Sequence, residues 1–327
     1  MNRQSPVKKT PAEHPVRKSI SPAVRRLSLK DPLSIAGGKL CRTYVNVLQV
    51  NTPGAVKGKD AEFVHRMRVA VRKLRFILRL WNPYLDTTIS DRLREELRWL
   101  AGALGEVRDA DVMAQRFETQ LADSFFSKPF KDFIAEKLSQ KEVAARETLI
   151  AAITSDRYKQ LLSSLTRLFD HASLQGKNPP LREQLPGFFS FAIKKAGRYS
   201  GKKNDEKHLH PLRIAIKRLR YLTEFFGDCY QGKLKDHQRR LKKYQEILGA
   251  YCDAKVAELF LSSLTAAKGT VCSPDAARRC LELGGLIHVQ RLDAEQQYRR
   301  FRKKAAALSQ RLELVRRQTK LLPVKTG

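Results

Sequence analysis

No run in these 327 residues approaches the roughly 18 consecutive apolar positions of a membrane span, and the N-terminus has no apolar core of the kind that directs secretion. A cytoplasmic location is the default expectation. The acid-poor start, rich in Arg and Ser, also has the composition of an organellar transit peptide. Short-spaced cysteine pairs are missing too. Cys41, Cys229, Cys252, Cys272 and Cys280 are scattered, which argues against a disulfide framework and for reduced, mostly buried thiols. Acidic residues are scarce: 33 Asp plus Glu stand against 64 Lys plus Arg, a net charge of +31. Such an imbalance says little about fold but much about partners, which must be polyanions of some kind.

The excess does not come from the start of the chain. Residues 1–30 hold eight basic residues and the single acid Glu13, a net of +7, so +24 belongs to the remainder. With Pro6, Pro11, Pro15 and Pro22 and little apolar material, that stretch reads as a disordered basic tail, either a second polyanion contact or a targeting signal.

Strand alternation is also lacking. From Pro32 onward the apolar residues recur with a 3.6-residue period, so the fold class is all-α. Expected breaks fall at Asn51–Gly58, at Asn82 and Pro83, in the Gly176–Pro180 stretch, at Gly201–Asn204 and at Gly227–Gly232. The mid-chain break divides the chain into 31–176 and 177–327.

The two sides are alike. VHRMRVAVRKLRFILRLW at 64–81 aligns without a gap on LHPLRIAIKRLRYLTEFF at 209–226, offset by 145 residues, and LGEVRDADV at 104–112 aligns on LGAYCDAKV at 248–256, offset by 144. Two separate motifs repeated at nearly constant spacing indicate an internal duplication, each half long enough for about four helices.

On a helix, where each residue turns by about 100°, His65, Arg68, Arg72, Arg75 and Arg79 fall within a sector of roughly 80°. Apolar residues bound the stripe on both edges: Val64, Met67, Val71, Leu74 and Leu78 on one, Phe76, Val69 and Leu80 on the other. His210, Arg213, Lys217 and Arg220 repeat the spacing, with Glu224 where Arg79 would fall. A solvated basic face would interleave acids at i,i+4, yet none occurs from Phe63 to Leu85. Like charges about 6 Å apart at an effective dielectric of about 20 repel by about 3 kcal/mol. A bound polyanion would turn that cost into attraction, so the stripe is expected to face a groove.

His65 and His210 occupy equivalent positions, and Pro211 suits a helix's first turn, which would put His210 near an anion-favouring N-terminus. Bound phosphate would favour the imidazolium. A histidine merely satisfied in the core is the plainer alternative, and metal ligation is disfavoured because Arg68 and Arg213 lie one turn on. Arg98 and Lys242 match in register, Arg108 follows the first Leu-Gly, and Arg239, Arg240 and Lys243 add charge to the second half. Asp109 and Asp253 also match, and helix capping or an orienting salt bridge is the expectation for them.

These residues resemble a known family. The pattern H-x-x-R-x-x-x-(R/K)-(K/R)-L-R, present twice and each time followed by LG-x-x-x-D-x-x-V, looks like the CHAD domain, the conserved histidine α-helical domain, over about residues 31–320. The resemblance implies two four-helix bundles related by an approximate twofold, around a basic central channel that binds inorganic polyphosphate, and an association with polyphosphate granules or storage bodies. Carried over by motif, its anion site comprises His65, Arg68, Arg72, Arg75, His210, Arg213, Lys217 and Arg220, with Arg98 and Lys242 at its edge, and the basic residues Lys73, Arg79, Arg108 and Arg218 beside them complete the candidate polyphosphate-binding set. Tyr251 and Cys252 depart from the more usual Leu-Asn, and Glu224 trims the site on its half.

No cofactor, metal or catalytic residue is expected. The Glu-x-Glu-x-Lys signature of the CYTH hydrolases often fused to CHAD domains is missing, as is a Gly-rich phosphate loop. Polyphosphate metabolism is therefore the weaker alternative. Nucleic-acid binding is the stronger, since its phosphates are read by the same side chains and +31 guarantees nonspecific binding at low salt. Yet Phe76, Tyr221 and Phe225 lie outside the stripe, and no helix offers base-reading Asn or Gln.

Overall fold

The computed structural model describes residues 27–122, 124–170, 176, 178–200, 206–265 and 273–320. Ten α-helices occupy the described residues: α1 (Leu33–Lys57), α2 (Ala61–Leu80), α3 (Thr87–Gln120), α4 (Lys128–Thr154), α5 (Asp156–Arg167), α6 (Leu181–Ser200), α7 (Glu206–Phe225), α8 (Lys235–Thr265), α9 (Pro274–Arg302) and α10 (Ala305–Lys320). The all-α expectation holds. None of the described helices is long and apolar enough to cross a membrane.

Among the described residues five helices, against the expected four or so, stand on each side of the mid-chain break. The extra break in the first half contains neither Gly nor Pro. Ser155 ends α4 and caps α5, its Oγ accepting from the Tyr158 N–H at 3.2 Å. The reverse happens at Asn51–Gly58, where α1 continues through Pro53 to Lys57. There Asn51 Nδ2 and Thr52 Oγ1 donate to the Val47 and Leu48 carbonyls at 2.7 and 2.8 Å, and the helix ends only at Gly58, whose φ of +69° suits glycine. Gly54 is required by closeness, since a Cβ there would lie 2.5 Å from the Phe63 ring of α2.

The mid-chain stretch is tied to the start of the fold. Asn178 Oδ1 accepts from the Ser34 N–H at 3.0 Å, and the Leu33 N–H donates to the Pro179 carbonyl at 3.0 Å, satisfying the open N-terminus of α1. Leu27 is buried and Leu29 packs on the core, so ordered chain begins before residue 30. Residues 1–26 of the expected tail, the break at Gly201–Asn204 and Cys272 lie outside the described residues. Of the remaining thiols, Cys41 and Cys229 are buried, while Cys252 is half-buried and Cys280 exposed.

Two apolar cores result. The larger draws on helices from both halves, including α1, α2, α3, α6, α7 and α8. A separate, smaller core joins Met113, Phe117, Phe130, Ile134, Leu261 and Leu286, from the far ends of the α3–α4 and α8–α9 hairpins.

Candidate functional site

Helix α2 starts at a real cap, the Asp60 side chain accepting from the Glu62 N–H at 2.8 Å. Its face of Val64, Met67, Val71, Leu74 and Leu78 is buried, which turns the basic stripe outward from its own half. The matching face of α7 buries Leu209, Leu212, Ile216 and Leu219. The two helices then meet across the halves: Phe76 packs against Tyr221 and Phe225 with ring centroids 5.8 and 5.9 Å apart. All three rings are buried, and so unavailable for stacking on bases.

Around this aromatic contact the cations of both halves converge. Arg72 is within electrostatic reach of Arg68, Arg213 and Arg220, and Lys217 of Arg72, Arg213, Arg218 and Arg75. Burial, together with those four guanidinium groups, pulls the Lys217 ammonium down to about 7. Arg72 Nε and Arg213 Nε are buried donors with no hydrogen-bond partner, an arrangement that normally costs about 1–3 kcal/mol per group. Arg75 connects to Arg98 on α3, and burial with Arg98 and Arg79 disfavours its charge.

Farther along, Arg68 donates to Asp109 Oδ1 at 3.0 Å. Of the two readings for Asp109, the orienting salt bridge is the observed one: the residue lies inside α3, far from a cap. Asp253 occupies the interior of α8, within reach of Arg213, Arg116, Asp109 and Arg68. His65 titrates below its usual value, first because it is desolvated, with Glu62 opposing and Arg108, Arg72 and Arg68 reinforcing. His210 Nδ1 lies 3.9 Å from the Cys252 thiol. Arg108 has its nearest acid, Asp111, at 3.9 Å. Arg220 Nε donates to Gln245 at 2.8 Å and has Glu224 at 3.7 Å.

Three expectations need correction. Lys73 is 8% exposed, ion-paired with Glu224 and poised 4.8 Å over the Tyr44 ring. Adjacent residues on a helix diverge by about 100°, so Lys73 departs from Arg72 and serves the contact between the halves. Lys242, expected at the site as the register equivalent of Arg98, is exposed and pairs along its own helix with Glu246 at 3.7 Å. Pro211 is not in a first turn, because α7 already runs at Glu206, so His210 is a full turn inside the helix.

Other residues join unannounced. Arg116 reaches Asp253 and donates to Gln290 and Asp293 at 2.6 Å. Lys195 of α6 comes near Arg79 and Arg218. Arg116 lies on α3 four residues past the repeated LGEVRDADV segment and Lys195 on α6, so both fall outside the aligned segments and only the fold brings them in.

The contacts between α2 and α7 have an internal regularity. Adding 145 to one partner and subtracting it from the other converts Lys73–Glu224 into Arg79–Arg218, and both pairs are in contact or electrostatic reach. It converts Arg75–Lys217 into Arg72–Arg220, likewise both present. Phe76–Tyr221 and Arg72–Lys217 map onto themselves.

A second contact links the halves at the hairpin ends. There the buried Glu282 carboxylate accepts from Ser127 N and Oγ at 2.6 and 3.0 Å, and Gln290 Nε2 donates to Gln120 at 2.8 Å.

The CHAD domain family matches residues 39–262. The chain belongs to that family. Two uncharacterised proteins of Mycobacterium tuberculosis, from strains CDC 1551 and H37Rv, are each 28% identical over 228 residues, a match that spans 66% of this chain and 43% of theirs. The chain thus covers less than half the length of these curated relatives. Among solved structures, the CHAD domain from the plant Ricinus communis superposes with a TM-score of 0.64 at 21% identity, covering 92% of this chain and 96% of that one. PptA from Streptomyces chartreusis gives 0.63 at 18%, covering 84% and 99%. At those identities the likeness is one of CHAD fold.

Proposed function

We propose that this CHAD protein binds inorganic polyphosphate in a basic channel between its two halves. CHAD domains are linked to polyphosphate binding in general, and the site supports that role here. The observation that carries the reading is the pair of buried, unpartnered donors Arg72 Nε and Arg213 Nε, set among Arg68, Arg220 and Lys217. A linear chain of phosphates supplies both the acceptors and the negative charge that such a cluster lacks.

The interchange of contacts under the 145-residue offset supports a duplication whose copies are related by an approximate twofold through Phe76 and Tyr221. Two separate contacts between the halves, one aromatic and one at the hairpin ends, support a channel that runs between them past the cations of α2 and α7. His65, Arg68, Arg72, Arg75, Arg98, Arg108, Arg213, Lys217 and Arg220 are assigned to the polymer, with His210 at one margin and Arg79 and Arg218, in reach of Arg75 and Lys217, at another. The role is binding without catalysis, at polyphosphate granules or storage bodies.

The test is a titration with polyphosphates of graded length against the wild type, Arg72→Ala and Lys217→Ala, in about 150 mM salt. Affinity should grow with length to a plateau and fall in both variants. Double-stranded DNA that displaces polyphosphate at equal phosphate concentration would favour nucleic acid instead, and phosphate release would make the protein an enzyme.

A further inference from the structure

The two ends of the α2–α7 contact are equivalent in position and opposite in completion. At one end the Tyr44 ring of α1 packs on Phe225, with centroids 5.7 Å apart, beneath the Lys73 ammonium, and Lys73 is paired with Glu224. Ring, cation and carboxylate close that end. Applying the 145-residue offset turns Lys73 into Arg218, Glu224 into Arg79 and Phe225 into Leu80.

Those three residues line an open groove of about 250 Å³ at the other end, walled further by Phe76, Phe188 and Phe191. Nothing in its lining is acidic. Lys195 adds a third cation, within reach of both Arg79 and Arg218. Phe191 is 67% exposed, a large apolar ring held at the rim with the Lys195 ammonium 6.0 Å from its centroid. The groove therefore has cations and an apolar wall like the completed end, but the described residues that line it supply neither a ring in the place of Tyr44 nor a carboxylate.

We propose that this groove binds a small anion bearing one aromatic ring, the ring taking the position that Tyr44 takes at the closed end and the phosphate or carboxylate lying between Arg79 and Arg218. Its volume is below the 300–1,000 Å³ or so typical of drug-sized sites and suits a single ring. Aromatic rings gain from edge or offset contact with Phe76, Phe188 and Phe191, and the anion relieves the repulsion among three cations. Bare phosphate uses only the second of these contributions. The site is therefore distinct in chemistry from the polyphosphate channel and stands whether or not that channel binds polymer.

The experiment is a calorimetric titration of the full chain with phenyl phosphate and, separately, with inorganic phosphate. Phenyl phosphate is expected to bind at least about tenfold more tightly, a difference of about 1.4 kcal/mol. Phe191→Ala, at an exposed position outside the channel, should remove most of that difference without changing polyphosphate affinity or melting temperature. Arg79→Glu, which gives Arg218 the acid that Lys73 already has, should abolish phenyl phosphate binding and raise the melting temperature. Equal affinities for the two phosphates would overturn the proposal. So would an aryl preference that survives both substitutions, because the ring would then bind elsewhere. Failure of wild-type polyphosphate binding would count only against the channel.

Discussion

Lys73 donates to the carboxylate of Glu224 across the contact between α2 and α7, where the two side chains are 10% and 28% exposed. Burial pulls the Lys73 ammonium below its usual range, while Glu224 opposes that pull. Breaking a buried pair by removing one partner costs about 3–5 kcal/mol when it strands the other charge. The two partners are not equally dependent, since Glu224 keeps Arg220 at 3.7 Å if Lys73 is lost. Glu224→Gln should therefore destabilise more, by about 3 kcal/mol given its partial exposure. Lys73→Met should cost clearly less. Urea denaturation of both variants measures the asymmetry, and equal losses would mean that Arg220 does not take over.

Arg72 invites a different trade. Its buried Nε lacks a partner, and its charge is disfavoured first by burial, with Tyr221 opposing and Arg68, Arg213 and Arg220 adding repulsion. Arg72→Met should raise the melting temperature of the unliganded protein while weakening polyphosphate binding at least about tenfold. Each cation withdrawn from polymer contact should also lower the slope of log affinity against log salt by roughly one, as for other phosphate polymers. Weaker binding together with a lower melting temperature would show that Arg72 is a packing residue.

Lys217 gives the pH dependence. Its ordinary value of 10.5 is lowered to about 7 in the folded, unliganded chain. Between those values the unfolded chain holds a proton that the folded chain has released, so stability rises with pH across that window. Below pH 7 the charge is present in both states and its full penalty applies. The melting temperature should climb from pH 7 to pH 9, and Lys217→Met should flatten that climb. Bound phosphate favours the charged form, so binding near pH 8 should take up a proton, visible as a heat that varies with the ionisation enthalpy of the buffer.

His65 extends the same logic to lower pH. Its value lies below 6.5, first through desolvation and then through Arg108, Arg72 and Arg68. A bound anion offsets those guanidinium groups and raises it, so affinity should increase as pH falls below 6.5 toward 5. The double variant His65→Ala, His210→Ala should lose that added gain. An identical pH response in wild type and variant would remove the histidines from the site.

How much of this was legible beforehand depends on what helical periodicity encodes. The period and the repeated spacing gave the all-α class and the equivalent helices, while it was the resemblance to the CHAD family that implied one shared site for Arg72, Arg213 and Lys217. Periodicity says which residues share a face, not what that face meets. The departure of Lys73 toward Tyr44 and Glu224 is set by the opposite half, 151 residues away. The α4–α5 break was hidden because a capping serine made it, in place of the Gly or Pro that usually marks a turn. Arg116 and Lys195 were invisible for a third reason: they lie outside the segments that repeat, Arg116 just beyond the motif on α3 and Lys195 on α6.

The contact at the hairpin ends was hidden in the same way, and it makes the last prediction. Glu282 is buried and accepts from both Ser127 N and Oγ, beside a core containing Phe117 and Phe130. Glu282→Ala leaves the Ser127 donors unsatisfied at a cost of about 1–3 kcal/mol, enough to loosen a junction held by a small core. If the channel depends on both contacts, this substitution should weaken polyphosphate binding without touching a cation. Hydrogen exchange should quicken in residues 113–122, 124–138, 257–265 and 273–290 while α2 stays protected, since α2 belongs to the larger core. Unchanged affinity with faster exchange at the tips would mean that the α2–α7 contact alone positions the basic residues.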